Sequence, residues 1–127
     1  MKLGEVMKRD LVVVDEKTKV SEVCKIMGEK RIGSVLVSRN GEIYGIFTER
    51  DLLSKVFPDN GLEREVGRYA TTPLITVSPD YSVKEAAKIM AEMKIRRLVV
   101  VEEGKVTGIF TASDLVEVLA KHPELMR

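Results

Sequence analysis

The chain has 127 residues, and its 21 basic and 20 acidic side chains leave a formal net charge of +1, a balance that argues against a nucleic-acid coat. With 44% hydrophobic and 32% charged residues, it has the composition of a folded globular chain rather than a disordered one. Cys24 and His122 are the single residues of their kinds, which excludes an internal disulfide, a Cys-rich zinc site and a Cys/His or Ser/His catalytic pair.

The first predicted element is Leu11-Val12-Val13-Val14, a short β-branched run bounded by charges that reads as a buried strand. Val20, Val23, Cys24 and Met27 then recur at i, i+3, i+4 and i+7, the stripe of a helix lying on a sheet. Two strands follow, Ser34 to Ser38 and Glu42 to Phe47, joined by Asn40-Gly41, a dipeptide that accepts the positive φ angles of a tight hairpin turn. After Thr48 a helix carries Leu52, Leu53, Val56 and Phe57 and ends at Pro58. From Asp59 to Arg68 the strand and core patterns lapse in a polar, Gly-containing stretch.

The same order then returns. Leu74-Ile75-Thr76-Val77 matches the first strand, and Val83, Ala86, Ala87 and Met90 match the helical stripe, so Cys24 is expected to pack like Ala87. Glu103-Gly104 takes the place of Asn40-Gly41, and the helix after Thr111 carries Leu115, Val118 and Leu119 before His122-Pro123. A constant offset of 63 positions lays Gly45-Ile46-Phe47-Thr48 on Gly108-Ile109-Phe110-Thr111 and Asp51-Leu52 on Asp114-Leu115 without an insertion. The chain is therefore read as α/β, a tandem duplication of β-α-β-β-α divided into residues 1–60 and 61–127. A unit of that size buries only about 60% of its unfolded surface, so the copies are expected to share a core.

Thr48-x-x-Asp51 and Thr111-x-x-Asp114 stand where a strand hands over to a helix. One reading is structural: the Thr accepts a hydrogen bond from a free backbone N–H and the acid three residues on returns one, close to a capping box. The other is functional. A helix start offers N–H groups and partial positive charge to phosphate, and a nearby carboxylate accepts both hydroxyls of a ribose, which together describe a nucleotide.

These residues resemble the tandem CBS-domain pair, or Bateman module. The resemblance covers nearly the whole chain. It rests on the duplicated β-α-β-β-α order, on Gly-Ile-Phe-Thr-x-x-Asp-Leu closing each copy, and on Ile95-Arg96-Arg97-Leu98-Val99-Val100 entering the second strand of the second copy. It implies two repeats packed with pseudo-two-fold symmetry, and two clefts for adenosine derivatives such as AMP, ADP, ATP or S-adenosylmethionine. By that resemblance one site uses Thr111, Ser113 and Asp114, with Val12, Ile32, Gly33 and Ser34 around the base. The other uses Thr48, Arg50 and Asp51 with Ile75, Ile95, Arg96 and Arg97. Arg96-Arg97 stands where the first copy has Gly33-Ser34, and Arg50 where the second has Ser113, so phosphate preference is expected to differ between the sites. Adjacent strand residues face opposite ways, so only one of Arg96 and Arg97 enters a cleft, or the pair is salt-bridged on a solvated edge. Arg50 either lines its own cleft or pairs with Glu49 or Asp51. Met7 and Ala70 hold positions that line the adenine pocket in relatives, although an apolar residue there needs no ligand to explain it.

The expected function is a stand-alone regulatory module with no catalytic residue and no resident metal or required cofactor. It senses an adenine nucleotide and signals occupancy to an effector protein or to its own homodimer, formed through the helices bearing Leu52, Leu53, Val56, Leu115, Val118 and Leu119. The alternatives are an interaction module whose Thr and Asp residues only cap helices and, more weakly, a nucleic-acid-binding member or an enzyme. No apolar run exceeds about five residues, against the roughly 20 a spanning helix needs, and no signal-peptide core follows Met1. A cytoplasmic location without a membrane partner is expected.

Overall fold

A computed structural model describes residues 1–126; Arg127, the last residue of the second expected repeat, lies outside the described residues. In chain order the elements are α1 (Leu3–Val6), β1 (Val13–Asp15), α2 (Val20–Lys30), β2 (Ser34–Arg39), β3 (Glu42–Thr48) and α3 (Glu49–Asp51), which runs on as a π-helical turn over Leu52–Val56. A 3-10 turn at Val66–Arg68 leads to β4 (Thr76–Val77), α4 (Val83–Met93), β5 (Arg97–Glu102), β6 (Lys105–Thr111) and α5 (Ala112–Lys121). The repeated β-α-β-β-α order is present. Each strand corresponding to Leu11–Val14 and Leu74–Val77 is shorter and begins later, because Val12 and Ile75 contribute only a carbonyl to the ladder, accepting from Leu36 N at 2.9 Å and Val99 N at 3.0 Å.

The chain folds as two compact units that cross the boundary between residues 60 and 61. Val12–Leu74 forms one; Met1–Leu11 joins the residues from Ile75 onward in the other. The cause is visible in burial: Leu3 and Met7 belong to the apolar cluster of Val77, Val83, Ala86, Met90, Leu98, Val100, Phe110 and Val118. Val66, from the stretch read as patternless, and Tyr69, just after it, belong to that of Val14, Val20, Val23, Met27, Val35, Val37, Phe47 and Val56. Each unit thus has its own cluster of buried residues. Val56 and Val118 lie inside these clusters, which removes them from the exposed helix face assigned to a homodimer.

Each unit holds a three-stranded sheet, β1-β2-β3 or β4-β5-β6, whose first pair is parallel and whose second is an antiparallel hairpin. Positive φ at Asn40 and Gly41, and at Glu103 and Gly104, makes the two-residue turns that the sequence predicts. The registers match as well: Ser34 faces Thr48 in one hairpin and Arg97 faces Thr111 in the other. In α2 the buried face is Val20, Val23 and Met27, and in α4 it is Val83, Ala86 and Met90. Cys24, half-buried like Ala87, has its thiol pKa pushed up by burial.

A further backbone segment is laid against the edge of each hairpin. Lys8 and Ile109 exchange two N–H···O bonds at 2.9 Å, and Ile46 and Thr71 exchange theirs at 3.1 and 2.7 Å. The segments come close enough to require glycine opposite them. A Cβ on Gly45 would stand 2.9 Å from Thr72 Cγ2 and 3.2 Å from the Thr71 carbonyl, and one on Gly108 would stand 2.5 Å from Met7 Sδ and 3.0 Å from the Lys8 carbonyl. Each Gly-Ile-Phe-Thr therefore has a division of labour. Gly admits the crossing segment, Ile pairs with it, Phe fills the core, and Thr delivers the chain to the next helix.

Candidate ligand-binding site

The strand-to-helix junctions form as the sequence predicts. Thr48 and Thr111 are the N-caps, and both capping boxes are closed. In the second unit Thr111 Oγ1 accepts from Asp114 N at 3.1 Å, and Asp114 Oδ2 accepts from Thr111 N at 2.9 Å. In the first, Thr48 Oγ1 accepts from Asp51 N at 3.4 Å, and Asp51 Oδ2 accepts from Thr48 N at 3.0 Å.

A third capping box measures how much of this is mere capping. At the start of α4, Ser82 Oγ accepts from Glu85 N at 2.9 Å and Glu85 accepts from Ser82 N at 3.1 Å, while Glu85 stays in solvent. Hydrogen bonding to the Glu85 carboxyl, first from the Ser82 backbone N–H and then from its side chain, holds it below the ordinary glutamate value. Capping does not require burial of the acid. Yet Asp51 is 3% exposed and Asp114 6%, the two buried charged residues of the described chain. Taking a carboxylate out of water is costly unless it is paired and hydrogen-bonded, so the environment of the second oxygen decides what each aspartate can do.

The two differ there. Asp51 Oδ1 accepts from Thr71 Oγ1 at 2.7 Å and pairs with Lys55 Nζ at 2.9 Å. The same ammonium also donates to the Tyr69 carbonyl at 3.1 Å and to Thr71 Oγ1 at 3.2 Å. Among the described residues Asp114 Oδ1 has only Lys8 Nζ, 3.9 Å away on a side chain 59% exposed that also reaches Glu117 at 3.7 Å. The cation beside Asp51 is thus Lys55 and not Arg50, which is exposed.

The other predicted residues gather beside these junctions within each unit. Gly33 accepts from Glu49 N at 3.2 Å, and Ser34 opens β2 opposite Thr48, so Ile32-Gly33-Ser34 adjoins Thr48, Arg50 and Asp51. Arg96 accepts from Ala112 N at 2.9 Å, and Arg97 opens β5 opposite Thr111, so Ile95-Arg96-Arg97 adjoins Thr111, Ser113 and Asp114. Ile32, Ile95, Val12 and Ile75 are half-buried against their own cores. Arg96 and Ser113 are exposed and Arg97 is half-buried. Met7 is core, and Ala70 packs against the core of its unit. Sequence reasoning passed over Lys8, Lys55 and Thr71. Lys55 carried a readable signal, an acid–base pair at i, i+4 with Asp51; Thr71 approaches from 20 residues away and carried none.

The family model for the CBS domain matches the chain twice, over residues 3–57 and 66–121. The chain belongs to the CBS domain family. Both matched segments run through the capped Thr and buried Asp just described. An uncharacterized CBS relative, MK0525 of Methanopyrus kandleri, is 39% identical over 91% of this chain and 61% of its own length. This CBS pair spans less than two thirds of several of the curated relatives it matches. Among solved structures, an uncharacterized conserved protein of Pyrococcus horikoshii is 33% identical with a TM-score of 0.88, covering 95% of this chain and 92% of that one. The CBS domain pair of protein MJ0100, in complex with 5′-methylthioadenosine and S-adenosyl-L-methionine, shares the fold with a TM-score of 0.85 at 21% identity, covering 95% and 97%.

Proposed function

We propose that this CBS pair is a regulatory module that binds an adenosine derivative (AMP, ADP, ATP or S-adenosylmethionine) and passes its occupancy to an effector protein or to a second copy of itself. The observation that carries the reading is Asp114, a buried carboxylate with one oxygen held by its capping box and the other facing an ammonium only at 3.9 Å. A group so placed is costly to bury for capping alone, and vicinal ribose hydroxyls are donors that suit its remaining lone pairs. The adenosyl ligands of MJ0100, a protein of the same fold, support that ligand class.

In this reading the ribose acceptor is a buried aspartate at a helix start, Asp51 or Asp114, held in place by Thr48 or Thr111. Ser113 and Arg50 stand beside the phosphates or the charged tail, and Arg96 and Arg97 favour an anionic ligand through guanidinium–phosphate bonds. The apolar residues Val12, Ile32, Ile75 and Ile95, with Gly33 and Ser34, take the base. Leu53 and Val116, equivalent positions under the offset of 63, are 70% and 68% exposed, which supports a homodimer through these helices. Signalling requires that the ligand bind two arrangements of that assembly unequally, since equal affinity shifts nothing. No helix among the described residues is long and apolar enough to cross a membrane.

Thermal unfolding with each ligand tests the reading. At a hundredfold excess over Kd, native-state binding adds about 2.7 kcal/mol, a rise of roughly 10 °C in Tm. The Asp51→Ala/Asp114→Ala double variant loses that rise. If none of the four ligands moves the Tm of the wild type, the capping and interaction reading replaces this one.

A further inference from the structure

We infer that the two repeats are not equivalent binders: Asp114 takes the ligand, and Asp51 is closed by an internal lock made of Lys55 and Thr71. The inference rests on the functional reading above and names which half of the duplication performs it.

A carboxylate offers about four lone-pair sites. At Asp51 four donors fill them: Thr48 N at 3.0 Å and Thr48 Oγ1 at 3.4 Å on Oδ2, and Thr71 Oγ1 at 2.7 Å and Lys55 Nζ at 2.9 Å on Oδ1. The lock is closed from its own side too. An ammonium has three N–H donors, and Lys55 places all three, on Asp51, the Tyr69 carbonyl and Thr71 Oγ1. A ribose arriving at Asp51 must displace a hydroxyl and a charge that already satisfy the acid in a site where that acid is nearly removed from water. Replacing good hydrogen bonds by equal ones yields little net affinity.

Asp114 has one donor within hydrogen-bonding distance among the described residues, Thr111 N at 2.9 Å, and the Lys8 ammonium beyond it at 3.9 Å. Its Oδ1 keeps both lone pairs for a pair of vicinal hydroxyls. The difference traces to two positions under the offset of 63. Where the first repeat has Lys55 the second has Val118, buried in the core, and where the second repeat has Thr71 the first has Lys8, solvated and shared with Glu117. Lys55 and Thr71 act as specificity-determining residues by exclusion, standing in for the sugar.

Isothermal titration of the whole chain with AMP and with S-adenosylmethionine reads this as stoichiometry. The wild type is expected to bind one equivalent per chain, and Asp114→Ala to weaken that event by at least about tenfold. Lys55→Met/Thr71→Val, at two solvent-facing side chains, is expected to add a second binding event, and adding Asp51→Ala to that background removes it again. Two equivalents in the wild type, a single event that survives Asp114→Ala, or no second event in a Lys55→Met/Thr71→Val protein with native circular dichroism each overturn the inference while leaving the functional reading standing. No binding by either ligand in the wild type overturns both. If the double variant does not fold, the wild-type stoichiometry and the Asp114→Ala titration decide alone.

Discussion

The β2–β3 and β5–β6 hairpins are buried residue for residue in the same sequence, whereas the segments that leave them diverge at once. After Thr111 the chain makes a ten-residue α-helix; after Thr48 it makes one turn and then widens, Phe57 N reaching back to Leu52 O at 3.1 Å. The lesson is about which constraints a duplication keeps. A hairpin shielding a Phe tolerates little, because a core responds to a single methylene. Beyond the capping boxes the two segments pack differently, with Lys55 exposed in one and its counterpart Val118 buried in the other. Sameness lies in the hairpins and difference in the segments that follow them.

The most severe way to break this comparison is to remove the core aromatics. Phe47→Ala and Phe110→Ala are each expected to cost about 3–5 kcal/mol in denaturant unfolding, nearly equally, since both rings are fully buried. A difference above about 1 kcal/mol would mean the two cores are not energetic equivalents. Next come Gly45→Ala and Gly108→Ala, each expected to lose about 1–3 kcal/mol as the crossing segment is pushed away. Gly108→Ala should be the milder if the Met7 side chain swings aside, and the Lys8 carbonyl sets its floor.

The helix starts sharpen the contrast at smaller scale. α4 has its Ser82–Glu85 box, while α2 begins at Lys19 with no side-chain cap. Ser82→Ala should cost about 1 kcal/mol, and Lys19→Ser should return up to about that amount, both read as shifts in the denaturation midpoint. The smallest effect is in acid. Because Glu85 has a depressed pKa in the folded chain, its contribution is complete above the ordinary glutamate value and disappears as pH falls through the folded one. Replacing it by Gln should flatten the stability profile over that acid range, removing the small contribution at neutral pH and leaving the stability below the folded pKa almost unchanged.

Much of this architecture was legible because local signals agreed. The offset, the hairpin dipeptides, the stripes of α2 and α4 and the Thr/Asp boxes each depend on neighbours within a few residues. The stretch from Asp59 to Arg68 escaped, since Val66 sits singly among charges with no period to betray it. One signal was within reach: the same offset lays Leu3-Gly4 on Val66-Gly67. The exchange of Met1–Leu11 into the sequence-distant unit was not legible, because tertiary contacts select it: the core packing of Leu3 and Met7, the pairing of Lys8 with Ile109 and the backbone bonds to Pro79, Tyr81 and Val83. Nor was the state of the two acids. Composition shows two aspartates in matching motifs, and only three-dimensional placement shows that one is saturated and the other is not.

The threading of Leu3 and Met7 into the core of the sequence-distant unit has a mechanical consequence. Tension applied ahead of Met1 would be transmitted first to the unit that carries Asp114, past the whole intervening repeat. A tether fused at that end therefore pulls on the unit of Asp114 before that of Asp51.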